Sequence, residues 1–149
     1  MNPPTPDAPS IELERLHTEQ LLAVLPTAHP LAHREAVDLA ALNEETFVIH
    51  PSGDRSAMYH LVLDARSRAG FSPSVLEVSE TANVAISVAA GLGVALAPEP
   101  VRALGLEGIA YRPLRQRETI ELFLARRETD TSPAVAAVAA LVREAAAAS

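Results

Sequence analysis

SETANVAISVAAGLGVALAP, residues 79–98, is the stretch whose reading decides the fold. Ser79, Glu80 and Thr81 offer side chains that cap a helix, and an Ala/Val/Ile-rich run follows. Gly91 and Gly93 break that run before an apolar stretch at 94–97, which Pro98 stops. The pattern is helix, tight turn, buried strand. A buried strand directly after a helix is half of an α/β layer, in which both sheet faces are covered and strands read as continuous apolar runs.

Working outward, LLAVLP at 21–26 is a short apolar run closed by proline, and TFVIH at 46–50 is β-branched and aromatic. Further strands are predicted at 75–78, 109–114 and 119–126. In the last, Ile120, Leu122 and Leu124 alternate with Thr119, Glu121 and Phe123, which predicts one firmly buried face. A short helical turn is expected at 37–42 with Asp38 near its start, and a short helix at 98–103 with Pro100 in its first turn. A longer helix, with Ser52 or Asp54 as cap, carries Met58, Leu61, Val62 and Ala65. Gly70, Phe71 and Pro73 end it as a Schellman-type stop. Ser132 and Pro133 open a final helix to about Ala147, with an apolar stripe of Val135, Val138, Leu141 and Val142. Residues 11–20 are too polar to assign, and 1–10, with four prolines, reads as a flexible lead-in. The element order predicts a three-layer α/β unit with a mainly parallel sheet.

The length of 149 residues suits one domain. Apolar residues make up 48% and aromatics 3%, so the core is expected to be aliphatic, with Phe47, Phe71 and Phe123 as its large fillers. A formal charge of −7 with no basic run argues against direct contact with nucleic acid. With no cysteine there is neither a disulfide framework nor thiolate chemistry. The first residues lack a signal-peptide pattern and no apolar run approaches the roughly 18 residues of a membrane span, which predicts a soluble cytoplasmic protein with no membrane partner.

Ligands of open α/β sheets bind beyond the carboxyl ends of the strands, where helix N-termini gather. Two such loops are readable, HPSGDR at 50–55 and SETAN at 79–83. Together they make a seat for a small carboxylate, with Ser52, Thr81 and Asn83 adding hydrogen bonds. In the ordinary alternative Ser52, Asp54 and Thr81 cap their own helices. Glu80 and Asp54 already occupy part of the favourable field, and Arg55 offsets one of them. His29 and His33 have the spacing of helical metal ligands, but Pro30 disfavours a helix there and the glutamate of the zinc motif is missing, so no metal is expected. His50, Ser52 and Asp54 do not define a triad by proximity alone. Gly91-Leu92-Gly93 lacks the third glycine of a dinucleotide fingerprint and follows a helix instead of a strand. No enzyme signature and no cofactor motif are present.

LLAVLPTAHPLA (21–32), VDLAALNEETFVIHP (37–51), RAGFSPSVLEV (68–78) and above all VAAGLGVALAP (88–98) resemble, in order and spacing, the effector-binding domain of LysR-type transcriptional regulators. The likeness continues through IAYRPL, ELFLARRE and the final helix, covering roughly residues 19–144. It implies one lobe of a two-lobed, type-two periplasmic-binding-protein-like fold, in which a small effector, often an organic acid or amino acid, binds between lobes. Carried onto this sequence, the effector-binding positions are Pro51, Ser52, Gly53, Thr81, Asn83, Ala97 and Pro98. The crossover strands fall at 21–26 and 119–126. The second lobe would then occupy 11–131, with 132–149 a helix that in the family packs on the first lobe. Family members carry a helix-turn-helix domain and most of the first lobe ahead of the matching region, so the expectation is a truncated sensing part without DNA binding of its own. Its terminal apolar stripe should fold onto the remaining lobe or drive self-association into a homo-oligomer. A solute-binding module of the same architecture, an α/β enzyme and a non-functional gene fragment are the alternatives.

Overall fold

The computed structural model describes residues 10–50, 57–70 and 74–148, and within α1 and α2 not every side chain. It contains strands β1 (Ile11–Pro26), β2 (Phe47–Ile49), β3 (Val75–Glu77), β4 (Ala95–Pro98), β5 (Ile109–Pro113) and β6 (Thr119–Arg127), and helices α1 (Ala57–Arg68), α2 (Thr81–Ala89) and α3 (Pro133–Ala147). Short 3-10 helices lie at Pro30–His33, Leu39–Leu42 and Glu99–Leu104. The expected lead-in at 1–10 falls, but for Ser10, outside the described residues, as do the caps Ser52 and Asp54 and the helix-stop residues Phe71 and Pro73.

The chain divides into two compact units, Glu19–Ile120 and, separately, Met1–Thr18 with Glu121–Ser149. This differs from the 11–131 lobe expected above, because both long strands, β1 and β6, contribute to each unit.

In the larger unit β1 runs antiparallel between β4 and β5, with Leu22 opposite Ala97 on one side and Pro113 on the other. β2 and β3 are parallel. Val94, just before β4, joins the two ladders: its N–H donates to the Thr46 carbonyl (2.9 Å) and its carbonyl accepts the Val48 N–H (2.8 Å), a parallel bridge. The resulting order is β3-β2-β4-β1-β5, with only β1 opposed, so the mainly parallel sheet is present. Neighbouring side chains sort to opposite faces. Leu21, Ala23, Leu25, Phe47, Ile49, Val94 and Leu96 share one core with Val37, Leu39, Leu42 and Ala65 of α1. Leu22, Val24, Val48, Ala95, Ile109 and Tyr111 share the other with Val88 of α2. Two cores on one sheet are the three layers.

The stretch at 79–98 behaves as its pattern requires, with one exception. After α2, Gly91 takes φ +77°. Its N–H donates to the Val88 carbonyl (2.9 Å), and the Leu92 N–H reaches back to Ser87 (3.0 Å), the two bonds of a Schellman ending. Gly93 answers a different need. A Cβ there would sit 2.3 Å from the Thr46 carbonyl oxygen, so only glycine lets the chain enter the sheet beside β2. The exception is the capping: the cap residue is Glu80, and its side chain makes no capping bond. Ser132 likewise caps α3 without a side-chain bond; its own N–H donates to Asp130 Oδ1 (2.9 Å). Asp38 does cap its 3-10 helix, accepting from the Ala40 N–H (2.9 Å).

In the smaller unit β6 pairs with β1. Ion pairs Arg126–Glu12 (2.6 Å) and Arg15–Glu121 (2.9 Å) run in opposite order along the two strands, so they are antiparallel. Two expectations are corrected here. Neither face of β6 is firmly buried, and Leu122 and Phe123 stand 42% and 48% exposed, so Phe123 is not a core filler. On α3 the buried residue is Ala139, with Val135 and Val142 half-buried beside it, while Val138 and Leu141 face water. The helix is seated by Arg143, whose Nε and Nη2 each donate to a Glu14 carboxylate oxygen at 2.7 Å. Among the described residues no helix is long and apolar enough to cross a membrane.

Two outcomes follow. Gly93→Ala should cost about 3 kcal/mol or more in urea unfolding, because backbone blocks the added methyl. Gly91→Ala, with open space but a left-handed φ, should cost about 1 kcal/mol. The Arg143 bonds hold the Glu14 carboxyl below its ordinary value of 4.5, so the carboxylate favours the folded state. That contribution is complete above the unfolded value and disappears as pH falls through the lower folded one. Glu14→Gln should therefore lower the melting temperature at pH 7, with the gap closing towards pH 3.

Candidate functional site

Because β2, β3 and β4 run the same way, their carboxyl ends reach one edge of the sheet. The Val78 N–H donates to the Ile49 carbonyl (3.0 Å), which holds the exits of β3 and β2 together there. Val78, Ser79 and Glu80 alone separate β3 from α2, so the N-terminus of α2 opens on the same edge. β4 ends there too, with Ala97 and Pro98 half-buried and paired with Leu22 and Leu21.

Of the seven expected positions, four are thus brought to this edge: Thr81 as the first residue of α2, Asn83 in its first turn, and Ala97 with Pro98 at the end of β4. Asn83 is half-buried and its N–H donates to the Glu80 carbonyl (3.0 Å). Pro51, Ser52 and Gly53 lie outside the described residues. The first turn of α2 contains no acidic residue, and the Glu80 carboxylate does not cap it. A ligand carboxylate would meet the first-turn N–H groups ahead of Asn83 and the positive end of the helix dipole.

Other polar groups are committed to structure. His29 Nδ1 accepts the Leu31 N–H (3.1 Å), which places the ring proton on Nε2, and Nε2 donates to Glu45 Oε1 (3.0 Å). Both ring nitrogens are therefore engaged, and His29 does not act with His33 as a ligand pair. Among the described residues no group of three or more His, Asp or Glu side chains is arranged to hold a metal. Gln116 accepts from the Leu39 N–H (3.0 Å) and donates to Asp38 Oδ1 (2.6 Å). These two donors, Gln116 and the Ala40 N–H, keep the Asp38 carboxyl below its usual range.

Sequence reasoning missed a second polar region. An open groove follows the outer edge of β5, lined by His33, Arg34, Glu35, Arg102, Tyr111 and Arg112. Arg112 is fixed in it, with Nε donating to the Ala32 carbonyl and Nη1 to the Tyr111 carbonyl, both at 2.7 Å. The guanidinium thereby covers an edge acceptor that would otherwise invite another strand. No local pattern announces this, because its partners are backbone carbonyls, one of them 80 residues away.

Compared with known proteins, residues 1–147 match the family described as LysR substrate binding domain. The chain is 30% identical over 122 residues to the transcriptional regulator XapR of Escherichia coli, covering 81% of this chain and 41% of that protein. It is 34% identical over 131 residues to CatR of Pseudomonas putida, covering 87% and 45%. It thus spans less than half the length of these curated relatives. Among solved structures, the BenM effector-binding domain with its effector benzoate superposes with a TM-score of 0.80 at 25% identity, covering 96% of this chain and 66% of that one. These domains have the periplasmic-binding-protein-like architecture, so the α/β fold class expected above holds.

Tyr111 provides a check on the core behind the site. Its hydroxyl is buried with no partner among the described residues, and burial pushes its ionisation above the ordinary value of 10.0. Tyr111→Phe should be neutral or stabilising by up to about 1 kcal/mol at pH 7. Because the raised value favours folding below pH 10 and is lost as pH rises through it, the variant should also resist alkaline unfolding better than the parent, measured by circular dichroism from pH 8 to 12.

Proposed function

We propose, from the premise that this chain belongs to the LysR substrate-binding domain family, that it is the effector-sensing part of a LysR-type regulator and takes a small organic acid or amino acid at the carboxyl edge of its sheet. One observation carries the reading: the N-terminus of α2 opens where β2, β3 and β4 end, and its cap side chain does not cover the first-turn N–H groups, of which Asn83's alone is met by the Glu80 carbonyl among the described bonds. Thr81 and Asn83 supply hydrogen bonds, and Ala97 and Pro98 a half-buried apolar flank. Pro51, Ser52 and Gly53, which follow β2 after His50 in sequence, are the remaining expected positions. That the BenM domain was solved with benzoate, itself a carboxylate, supports an acid as ligand class.

The role is sensing and not catalysis, in the cytoplasm, with no cofactor. The formal charge of −7 supports a division in which DNA is recognised elsewhere than in this chain. A thermal-shift panel of benzoate, other small carboxylates and free amino acids tests the proposal. One class should raise the melting temperature with saturation, by about 2.7 kcal/mol at 100 times its dissociation constant. Thr81→Ala and Asn83→Ala should each weaken that ligand about tenfold, the worth of one hydrogen bond to a charged group. A panel without any stabilising member, or binding unchanged in the double variant, would overturn it.

A further inference from the structure

An open groove of about 810 Å³ runs along the outer edge of β5, within the larger unit. Leu31 of the 3-10 helix at Pro30–His33 packs against one core and Val101 of that at Glu99–Leu104 against the other, so these two helices flank the edge from opposite faces of the sheet. Each brings a guanidinium to the groove, Arg34 just after the first and Arg102 within the second, and β5 supplies Arg112 between them. Against these three cations the lining holds His33 and one carboxylate, Glu35, while Glu99 and Glu107 are not part of it. An excess of guanidinium over carboxylate, on a chain whose formal charge is −7, selects for anions. We propose that the groove is a second ligand site, separate from the carboxyl edge of the sheet, and that it takes the phosphoryl group of a small metabolite.

The strand edge forms the floor of the site. The Thr27 N–H donates to the Gly108 carbonyl (3.0 Å), so Gly108, Ala110 and Arg112 direct their backbone groups towards β1, and Ile109, Tyr111 and Pro113 direct theirs outward. Of these outward groups, the Pro113 carbonyl accepts the Val37 N–H (2.9 Å) and the Tyr111 carbonyl accepts Arg112 Nη1 (2.7 Å). The Ile109 and Tyr111 N–H groups meet no acceptor among the described residues. With its Nε on the Ala32 carbonyl as well, the Arg112 guanidinium is locked in plane beside the Tyr111 N–H, and both hydrogens of Nη2 remain to be given. A guanidinium already held loses little freedom on binding. Arg34 and Arg102 are exposed and have no ion-pair partner among the described residues. A carboxylate offers two oxygens and one charge, whereas a phosphoryl group offers three oxygens and a charge of about −1.5 to −2, which matches three guanidiniums and an adjacent N–H. The volume is that of a cavity for a whole metabolite, with Ile109 and Pro113 as apolar wall.

Isothermal titration calorimetry of the full-length protein with inorganic phosphate and phenyl phosphate, beside acetate and citrate, provides the test. Both phosphates should bind one to one, and the carboxylates at least tenfold more weakly. Arg34→Ala and Arg102→Ala, at exposed positions, should keep the parent circular dichroism and each weaken phosphate about tenfold or more, the loss expected for a hydrogen bond between charged groups. Arg112→Lys should weaken it as much, because an ammonium cannot grip two carbonyls and still present a fork. Glu35→Gln should tighten phosphate, since it removes the one carboxylate of the lining. Absence of phosphate binding, which is also the result if another segment of the protein fills the groove, would overturn the proposal. So would acetate or citrate binding as tightly as phosphate, or an affinity that ignores both Arg34→Ala and Arg102→Ala.

Discussion

The middle of β1 is the constraint on which the larger unit depends. Leu21, Leu22, Ala23, Val24 and Leu25 are five consecutive buried residues, sent alternately into two cores, and both strand edges are hydrogen-bonded, to β4 and to β5. No polar side chain fits at any of these positions. Each buried leucine or valine contributes about 1.5–3 kcal/mol, and because the five serve both faces, loosening them would uncouple α1 from α2. The opposed direction of this one strand also keeps β4 and β5 apart, which spaces the ends of the parallel strands where the candidate site lies.

The site is positioned from its far side. The Schellman turn at Gly91 stops α2 at a defined length, and Gly93 brings the chain against Thr46 so closely that β4 can enter in only one register with β2. With the C-terminal end of α2 fixed by this turn and its N-terminal end tied to β3 by a short link, the helix has little freedom to slide. The N–H groups at the start of α2 are therefore held in place by packing at its other end.

Much of this was legible in the sequence, for physical reasons that also explain the gaps. Strands buried on both faces, such as 21–26 and 94–97, betray themselves as apolar runs, and Gly70 and Gly91 mark helix ends whose left-handed backbone other residues avoid. The first half of β1 escaped notice because charged residues that serve as ion-pair partners, Glu12, Glu14 and Arg15, are interleaved with its apolar ones, and charge there reads as loop. β6 and α3 misled in the other direction, since apolar periodicity shows which side chains share a face but not whether anything covers it. At the site, the helix N-terminus and strand ends were readable, whereas the roles of Gln116 and Arg112 rest on contacts some 80 residues apart that no local pattern encodes.

The placement of β1 has a consequence for synthesis on the ribosome. This strand emerges ahead of its sheet neighbours β4 and β5, which lie about 75 to 90 residues further along, so at ~5–20 residues per second it waits roughly 4–18 s for the strands that cover it. During that interval LLAVL is an unpaired aliphatic segment of the kind that seeds aggregation. The polar residues just ahead of it and Pro26 just behind it act as gatekeepers while the nascent chain is still incomplete.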